Sequence, residues 1–418
     1  MGERRSRVEG MEIKNKKLLF CFPYRGPGGV SLLFLRLANH LKHIGFSVAL
    51  IDYLDGYMSL NNKENLELIE YGGHNIVKID DNSILILQAM TPWSIYPLME
   101  LDLNTNLFFI STIPQNFYPL LPGLRDKMSG NSFLFRFICK SILRNEYIKV
   151  KNFLKIAIEK KSMVFLDEDI VKNVIHNLDL ELKAYNLLPL FGGDSIQNFY
   201  LKKNVLNKKE LNIGWVGRIA DFKVHILNKV ITDLKKYTDE NDIKIKFTIV
   251  GSGDKEKTLV SFETDKFKIE RIEQINPESL SLKLLTFDLY FAMGTSALDG
   301  ARLGIPTVRL DYSFKPIVEE YKYKFLFDVK GFSAGEHIGG KFYTKGMHTI
   351  ADVLLKLIEE KDFLSKQTFE FYNENHSYDS SKSKFLKYLS HSNLSYKDLK
   401  FRELNQSRLF SLFKKVKP

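Results

Sequence analysis

The sequence predicts an α/β protein made of two Rossmann-like domains that face each other across a cleft. Three observations carry this expectation. The chain has 418 residues, too many for one ordinary core and suited to two domains of roughly 180 to 200 residues each. Each half alternates short apolar runs with stretches of helical periodicity, the pattern of a parallel sheet with crossover helices. Between the halves, residues 191–210 turn polar, with Gly192-Gly193-Asp194-Ser195 ahead of a lysine- and asparagine-rich run, the composition of a connection. The chain therefore divides into an N-terminal domain over 11–195, a second domain over 205–375, and C-terminal helices with a basic tail over 376–418.

In the first half, residues 17–22 are strand-like, 29–44 helical and 46–51 strand-like, a strand-helix-strand unit that implies parallel pairing. Further strand candidates are 84–89, 107–111, 163–166 and 185–190. A polar helix starts near Asp167. There Asp167-Glu168-Asp169 matches an Asp-x-Asp metal pattern, but acidic groups at a helix start offset the dipole, and capping is the reading taken. The second half opens with a strand over 211–216, a helix over 224–237 and a strand over 245–250. A strand over 288–292, a helix over 296–303 and a strand over 307–310 follow, and 347–390 returns to helical periodicity. Sheets of this kind bind ligands beyond the carboxyl ends of their strands, so the loops there are where chemistry is sought.

Composition excludes several classes. Apolar residues make up 44% and charged residues 27%, with 32 Phe and 19 Tyr to build cores. Cys21 and Cys139 have neither disulfide nor zinc spacing, and the nine histidines, His40 and His43 among them, lack ligand spacing. No metal and no cofactor is expected. The first apolar run, 18–22, is too short for a signal-peptide core, and no window approaches the roughly 18 consecutive apolar residues of a membrane span. A cytoplasmic location is expected. Met11, behind a polar leader, is an alternative start, so residues 1–10 are set aside.

The formal charge of +11 favours an anionic partner. Residues 131–161 concentrate it: Arg136, Lys140, Arg144, Lys149, Lys151, Lys155, Lys160 and Lys161 stand against Glu146 and Glu159, among Phe133, Phe135, Phe137 and Ile142. The tail at 409–418 is similar. Both stretches read either as solvated helix faces or as surfaces for an anionic membrane.

Four motifs carry chemistry. Arg25-Gly26-Pro27-Gly28-Gly29-Val30 lies between the first strand and its helix, where Gly28 and Gly29 let the backbone approach a ligand; a tight turn without a ligand is the alternative. It lacks the x-x-Gly that completes a dinucleotide fingerprint, and no Walker lysine-serine pair occurs. Gly214-Trp215-Val216-Gly217-Arg218, with Lys223 five residues on, offers a guanidinium and an ammonium to a diphosphate, unless both are simply solvated. Gly251-Ser252-Gly253-Asp254 follows a similar strand, and its small residues admit a nucleobase or ribose, or only make a turn. The most informative motif runs from Met293 to Val308. Gly294, Thr295 and Ser296 open a helix as an anion site, and Asp299 one turn in either accepts a ribose diol or compensates the dipole.

In this order and spacing, over most of residues 17–390, the four motifs resemble the retaining GT-B glycosyltransferase family, in particular its bacterial polysaccharide and lipopolysaccharide members. Leu37-Ala38-Asn39-His40-Leu41 with Gly45-Phe46-Ser47-Val48 looks like that family's opening. Leu187 to Asp194 is similar to its hinge strand, and Asn375-His376-Ser377 to the start of its closing helix. The resemblance implies a metal-independent transferase taking a nucleotide-sugar donor and a glycan or lipid-linked acceptor, with no nucleic acid as partner. It implies donor contacts from Gly217, Arg218, Lys223, Gly251, Gly294, Thr295, Ser296 and Asp299, the last standing where the family has a ribose-binding glutamate. Gly28 and Gly29 fall on the acceptor side. One departure bears on retention: eight positions before Asp299, where the family has its first paired glutamate, stands Phe291. No catalytic base is assigned. A GT-B-fold epimerase or hydrolase, and a non-catalytic binding subunit, stay open as alternatives.

Overall fold

The computed structural model describes residues 13–26, 28–72, 76–90, 98–119, 132–193 and 209–404. They form two compact units: residues up to Pro189 together with those from Ser381 onward, and Leu190–Ser380. Most of the expected connection, 194–208, lies outside the described residues, as do 1–10 and the tail at 409–418.

In chain order the first unit contains β1 (Lys17–Cys21), α1 (Gly29–His43), β2 (Val48–Asp52), α2 (Tyr57–Leu60), β3 (Glu67–Glu70), β4 (Val77–Ile79), β5 (Ser83–Gln88), β6 (Met99–Leu101), β7 (Asn106–Ser111), α3 (Ser132–Ser141), α4 (Arg144–Glu159), β8 (Met163–Phe165), α5 (Glu168–Leu178) and β9 (Asn186–Leu187). Seven strands make a parallel sheet in the order β3-β2-β1-β5-β7-β8-β9, and β4 pairs with β6 separately. Covered on both faces, the central strands β1, β2, β5 and β7 are almost wholly buried, which is why they read as unbroken apolar runs. The strand expected at 185–190 shrinks to β9, since Pro189 has no amide to donate to a ladder. Asp167 caps α5, accepting from Ile170 N at 2.8 Å, which accounts for the acidic triplet there.

The second unit contains β10 (Glu210–Val216), α6 (Asp221–Glu240), β11 (Lys244–Val250), β12 (Phe267–Ile272), α7 (Pro277–Leu284), β13 (Leu289–Ala292), α8 (Thr295–Ala301), β14 (Thr307–Arg309), β15 (Lys324–Phe325) and α9 (Ile350–Asn375). Its sheet runs β12-β11-β10-β13-β14-β15, parallel except for the last pair. Leu227, Val230 and Leu234 of α6 and Val353, Leu354 and Leu357 of α9 pack into one core with Trp215 and Phe291. Ala297, Leu298 and Ala301 of α8 join Tyr290, Ala292 and Tyr372 in a second core.

After α9 the chain continues as α10 (Tyr378–His391) and α11 (Tyr396–Lys400). From Ser381 on it belongs to the first unit. Phe385 sits edge-on to Phe108 with centroids 5.5 Å apart, Leu107 N donates to Leu394 O, and Tyr396 N donates to Thr105 O, both at 2.9 Å.

A salt-bridge cluster on the second sheet has a pH signature. Burial alone would raise the pKa of Glu270, but the Thr248 hydroxyl with Lys283 and Lys246 brings it down from 4.5 to about 2. A carboxylate depressed on folding stabilises the native state above its unfolded pKa and loses that contribution as pH falls through the folded value. Wild type should therefore be more stable than Glu270→Gln at neutral pH, and the difference should shrink between pH 4.5 and about 2. Urea unfolding of both proteins across that range checks this; a difference independent of pH would rule out the assignment.

Candidate functional site

Strand register assembles the site in the second unit. Val216 pairs with Val250 of β11, Trp215 pairs with Phe291 of β13, and Ala292 pairs with Arg309 of β14, all parallel. The segments after β11, β10, β13 and β14 therefore emerge along one edge of the sheet in that spatial order. The first three carry seven of the residues singled out in the sequence: Gly251, then Gly217, Arg218 and Lys223, then Gly294, Thr295 and Ser296.

The first two segments touch through their backbones. Gly217 N donates to Val250 O and Ile219 N to Ser252 O, both at 3.0 Å. Gly251 has φ +125°, and a Cβ there would lie 2.1 Å from Gly217 O, so no other residue fits. A Cβ on Gly217 would in turn come within 3.6 Å of Lys223 Nζ, which places the ammonium beside that turn.

Lys223 differs from its sequence reading in one respect. Helix α6 starts at Asp221, three residues earlier than expected, so Lys223 projects from its first turn rather than from a surface loop. Burial, and then the neighbouring Arg218 charge, lower its pKa from the usual lysine range. Its ammonium lies 5.7 Å from the Phe222 ring centroid. Among the described residues neither Arg218 nor Lys223 forms an ion pair, so two adjacent cations stand there without a carboxylate.

Only Met293 and Gly294 separate β13 from α8. Gly294 adopts φ 67° and ψ −141°, a conformation glycine tolerates, and its N–H donates to Ala334 O at 2.8 Å. Helix α8 opens on Thr295 and Ser296 with no acidic residue in its first turn. Asp299 lies one turn further on, its carboxylate 3.9 Å from Arg302 Nε. Together with burial, its charge raises the pKa of the enclosed Tyr290 phenol. Phe291 is fully buried on β13, its ring 5.7 Å from Tyr323. Counting back eight residues from Asp299 thus runs into the strand, because the β13–α8 connection is too short to offer a side chain at that position.

The β14 end was not anticipated from the sequence. Arg309 and Asp311 are wholly buried and paired, Arg309 Nη1 lies 3.3 Å from Glu336 Oε1, and Lys324 Nζ is 3.4 Å from both Asp311 Oδ2 and Glu336 Oε2. Tyr321 OH donates to Asp311 Oδ2 at 3.0 Å. Burial would raise the pKa of Glu336, but Arg309, the Thr344 amide and Lys324 hold it below the usual glutamate range. Two cations and two anions balance, as enclosed charges must. Part of the signal was available: Arg309 and Asp311 are opposite charges two residues apart at the end of β14, flanking the apolar Leu310.

In the first unit, Gly28 and Gly29 lead into α1, which has no capping side chain and no acidic residue in its first turn, so its opening amides are available to an anion. Nothing lies within 4 Å of where a Gly29 Cβ would be. The preceding loop is held by the buried Asp52, which accepts from Tyr24 N, Tyr53 N, Met58 N and Ser59 N at 2.9 to 3.2 Å.

The basic stretch forms α3 and α4, with Leu134, Phe137, Ile142 and Ile148 exposed. Its charge is partly answered from outside the stretch, since Arg136 and Lys140 both pair with Asp179. The side chains of Phe133 and Phe135 lie outside the described residues. No helix among those described is long and apolar enough to cross a membrane.

No family model matches the chain, and no curated protein matches it. Solved structures do. A glycosyltransferase from Rickettsia africae ESF-5 is 13% identical with a TM-score of 0.50, over 90% of this chain and 98% of that one. An alpha-glucosyltransferase in complex with UDP and a 13-mer DNA containing a HMU base is 11% identical with a TM-score of 0.51, over 90% of this chain and 99% of that one. At such identities the likeness is one of architecture, and the architecture is the GT-B glycosyltransferase fold.

Proposed function

We propose that the protein is a glycosyltransferase that moves a sugar from a nucleoside diphosphate donor to a hydroxyl of a cell-surface glycan or lipid-linked glycan precursor. The cations Arg218 and Lys223, without an ion-pair partner among the described residues, carry this reading; they stand beside Gly217 and in line with the opening of α8. A desolvated lysine with a neighbouring arginine is costly to hold without an anion, and a departing diphosphate supplies one. The similar alpha-glucosyltransferase was crystallised with UDP, which makes UDP the first ligand to test.

In this account the protein binds and positions both substrates and neutralises the leaving group as the glycosidic bond breaks. Incubation with sugar nucleotides and glycan acceptors should release free nucleoside diphosphate together with a glycosylated product. Diphosphate with free sugar would indicate a hydrolase, and an altered donor an epimerase. The burial of Phe291 favours a second reading, a chain that binds its ligand without turnover; binding with no release of diphosphate would decide for it.

Because Arg218, Lys223 and the α8 amides answer the diphosphate charge, activity should survive EDTA. Loss on chelation, restored by manganese or magnesium, would contradict that role. The exposed apolar residues of α3 and α4, set among basic side chains, further support weak and reversible attachment to the inner face of an acidic membrane, at about 1 kcal/mol per basic residue near the surface. Cosedimentation with phosphatidylglycerol vesicles should occur at low ionic strength and fade with salt. Equal binding to neutral vesicles, or none, would leave the stretch a solvated helix face.

A further inference from the structure

The segment after β14 holds an aromatic cluster that the diphosphate contacts do not use. Phe222 of α6, Tyr312 and Phe314 beyond β14, and His337 come from three parts of the chain. Ring centroids lie 6.0 Å apart for Phe222 and Tyr312, 6.3 Å for Phe222 and Phe314, and 6.0 Å for Tyr312 and Phe314. His337 stacks on Tyr312 at 5.3 Å and meets Phe314 at 5.7 Å. Burial lowers the pKa of His337 from its usual 6.5, so at neutral pH the ring is uncharged and stacks as an apolar one.

The base of the cluster is pinned. Ser313 N donates to Phe222 O at 3.1 Å, Tyr312 N to Glu336 O at 2.9 Å and Ile338 N to Tyr312 O at 2.9 Å. Beneath it, Glu336 N donates to Asp311 Oδ1 at 3.0 Å, which ties the rings to the enclosed Arg309, Asp311, Lys324 and Glu336 network. Yet Phe314 at the outer end is 49% exposed. A rigid base under a half-open ring is a preorganised apolar surface whose burial a ligand could complete.

Its position suggests the ligand. Along the sheet edge the loops follow as Gly251, Gly217, Gly294 and Tyr312, and Phe222 is the residue before Lys223. With the diphosphate on Lys223 and the nucleobase at the small-residue loop after β11, the group on the distal phosphate extends toward β14. We infer that Tyr312, Phe314 and His337 form a shelf for the donor's sugar ring, and that Phe314 contributes to the choice of sugar. An aromatic face takes the C–H-rich face of a pyranose while the sugar hydroxyls stay in water. The inference rests on the donor-site reading above.

Calorimetry with UDP against UDP-glucose, and GDP against GDP-mannose, separates the two. For the pair that binds, Phe314→Ala should weaken the sugar nucleotide by about five- to tenfold and leave the bare diphosphate unchanged. Phe314→Trp, which keeps an aromatic face, should restore the difference. Because Phe314 is half exposed, neither change should disturb the fold, and unfolding midpoints equal to wild type would verify this. Equal loss for diphosphate and sugar nucleotide, or loss for neither, would overturn the shelf and leave the donor site standing. If neither these four ligands nor CDP, ADP or dTDP binds wild type, donor site and shelf fall together.

Discussion

Lys223→Ala should weaken nucleoside diphosphate binding by one to two orders of magnitude while the protein stays folded. The ammonium sits partly desolvated beside Gly217, so its contact with a phosphate is charge-assisted and contributes roughly 1.5 to 3 kcal/mol. Removing it also relieves burial of a charge, which argues against loss of stability. Arg218→Ala should act in the same direction. The loss from changing both should differ from the sum of the single losses, because each charge raises the cost of holding the other. Unchanged affinity in both single variants would take this turn out of the donor site.

A larger structural effect is expected at Gly251. A methyl group there would lie 2.1 Å from Gly217 O, on a backbone with φ +125°. Gly251→Ala must move one of two loops that hydrogen-bond each other, and the backbone strain alone costs about 1 to 3 kcal/mol. The variant should unfold at lower urea concentration and, under conditions where it is folded, bind nucleoside diphosphate poorly, because displacing Gly217 displaces Arg218 and Lys223. Gly339 provides the control: its φ is +79° and nothing lies within 4 Å of where a methyl would stand, so Gly339→Ala should lower stability without affecting the nucleotide. Equal binding by both variants would show that the Gly251 contact is only structural.

What could be read in advance follows from the surroundings of each element. Strands β1, β5, β10, β11 and β13 lie in the interior of their sheets; β1, β5 and β13 read as apolar runs, β10 and β11 alternate before ending in a buried stretch, and glycine marks the turns after β10, β11 and β13. Strand β3, Glu67-Leu68-Ile69-Glu70, was missed because it is a short, half-exposed edge with two apolar residues. β12 was missed although Phe267, Lys268, Ile269 and Glu270 alternate apolar and charged at the strand period.

Contacts between distant residues were hidden for a different reason. Arg309 of β14 and Lys324 of β15 are cross-strand partners, and Asp311 and Glu336 join them from outside the strands, so no single period links all four, and Asp179 lies beyond the basic stretch whose charge it partly answers. Phe291 shows the limit of counting along a motif: the residue number matched a family position, but a two-residue connection put that position inside a strand.

The most direct test of the central claim is thermal unfolding of wild type and of the Arg218→Ala, Lys223→Ala double variant, with and without UDP, GDP, CDP, ADP and dTDP. A ligand that binds only the native state raises the unfolding temperature by mass action. At least one diphosphate should stabilise wild type, and this gain should be lost in the double variant while its ligand-free midpoint stays close to wild type. Stabilisation by none of them, or equal stabilisation of both proteins, would contradict the assignment of this edge as a nucleoside diphosphate site.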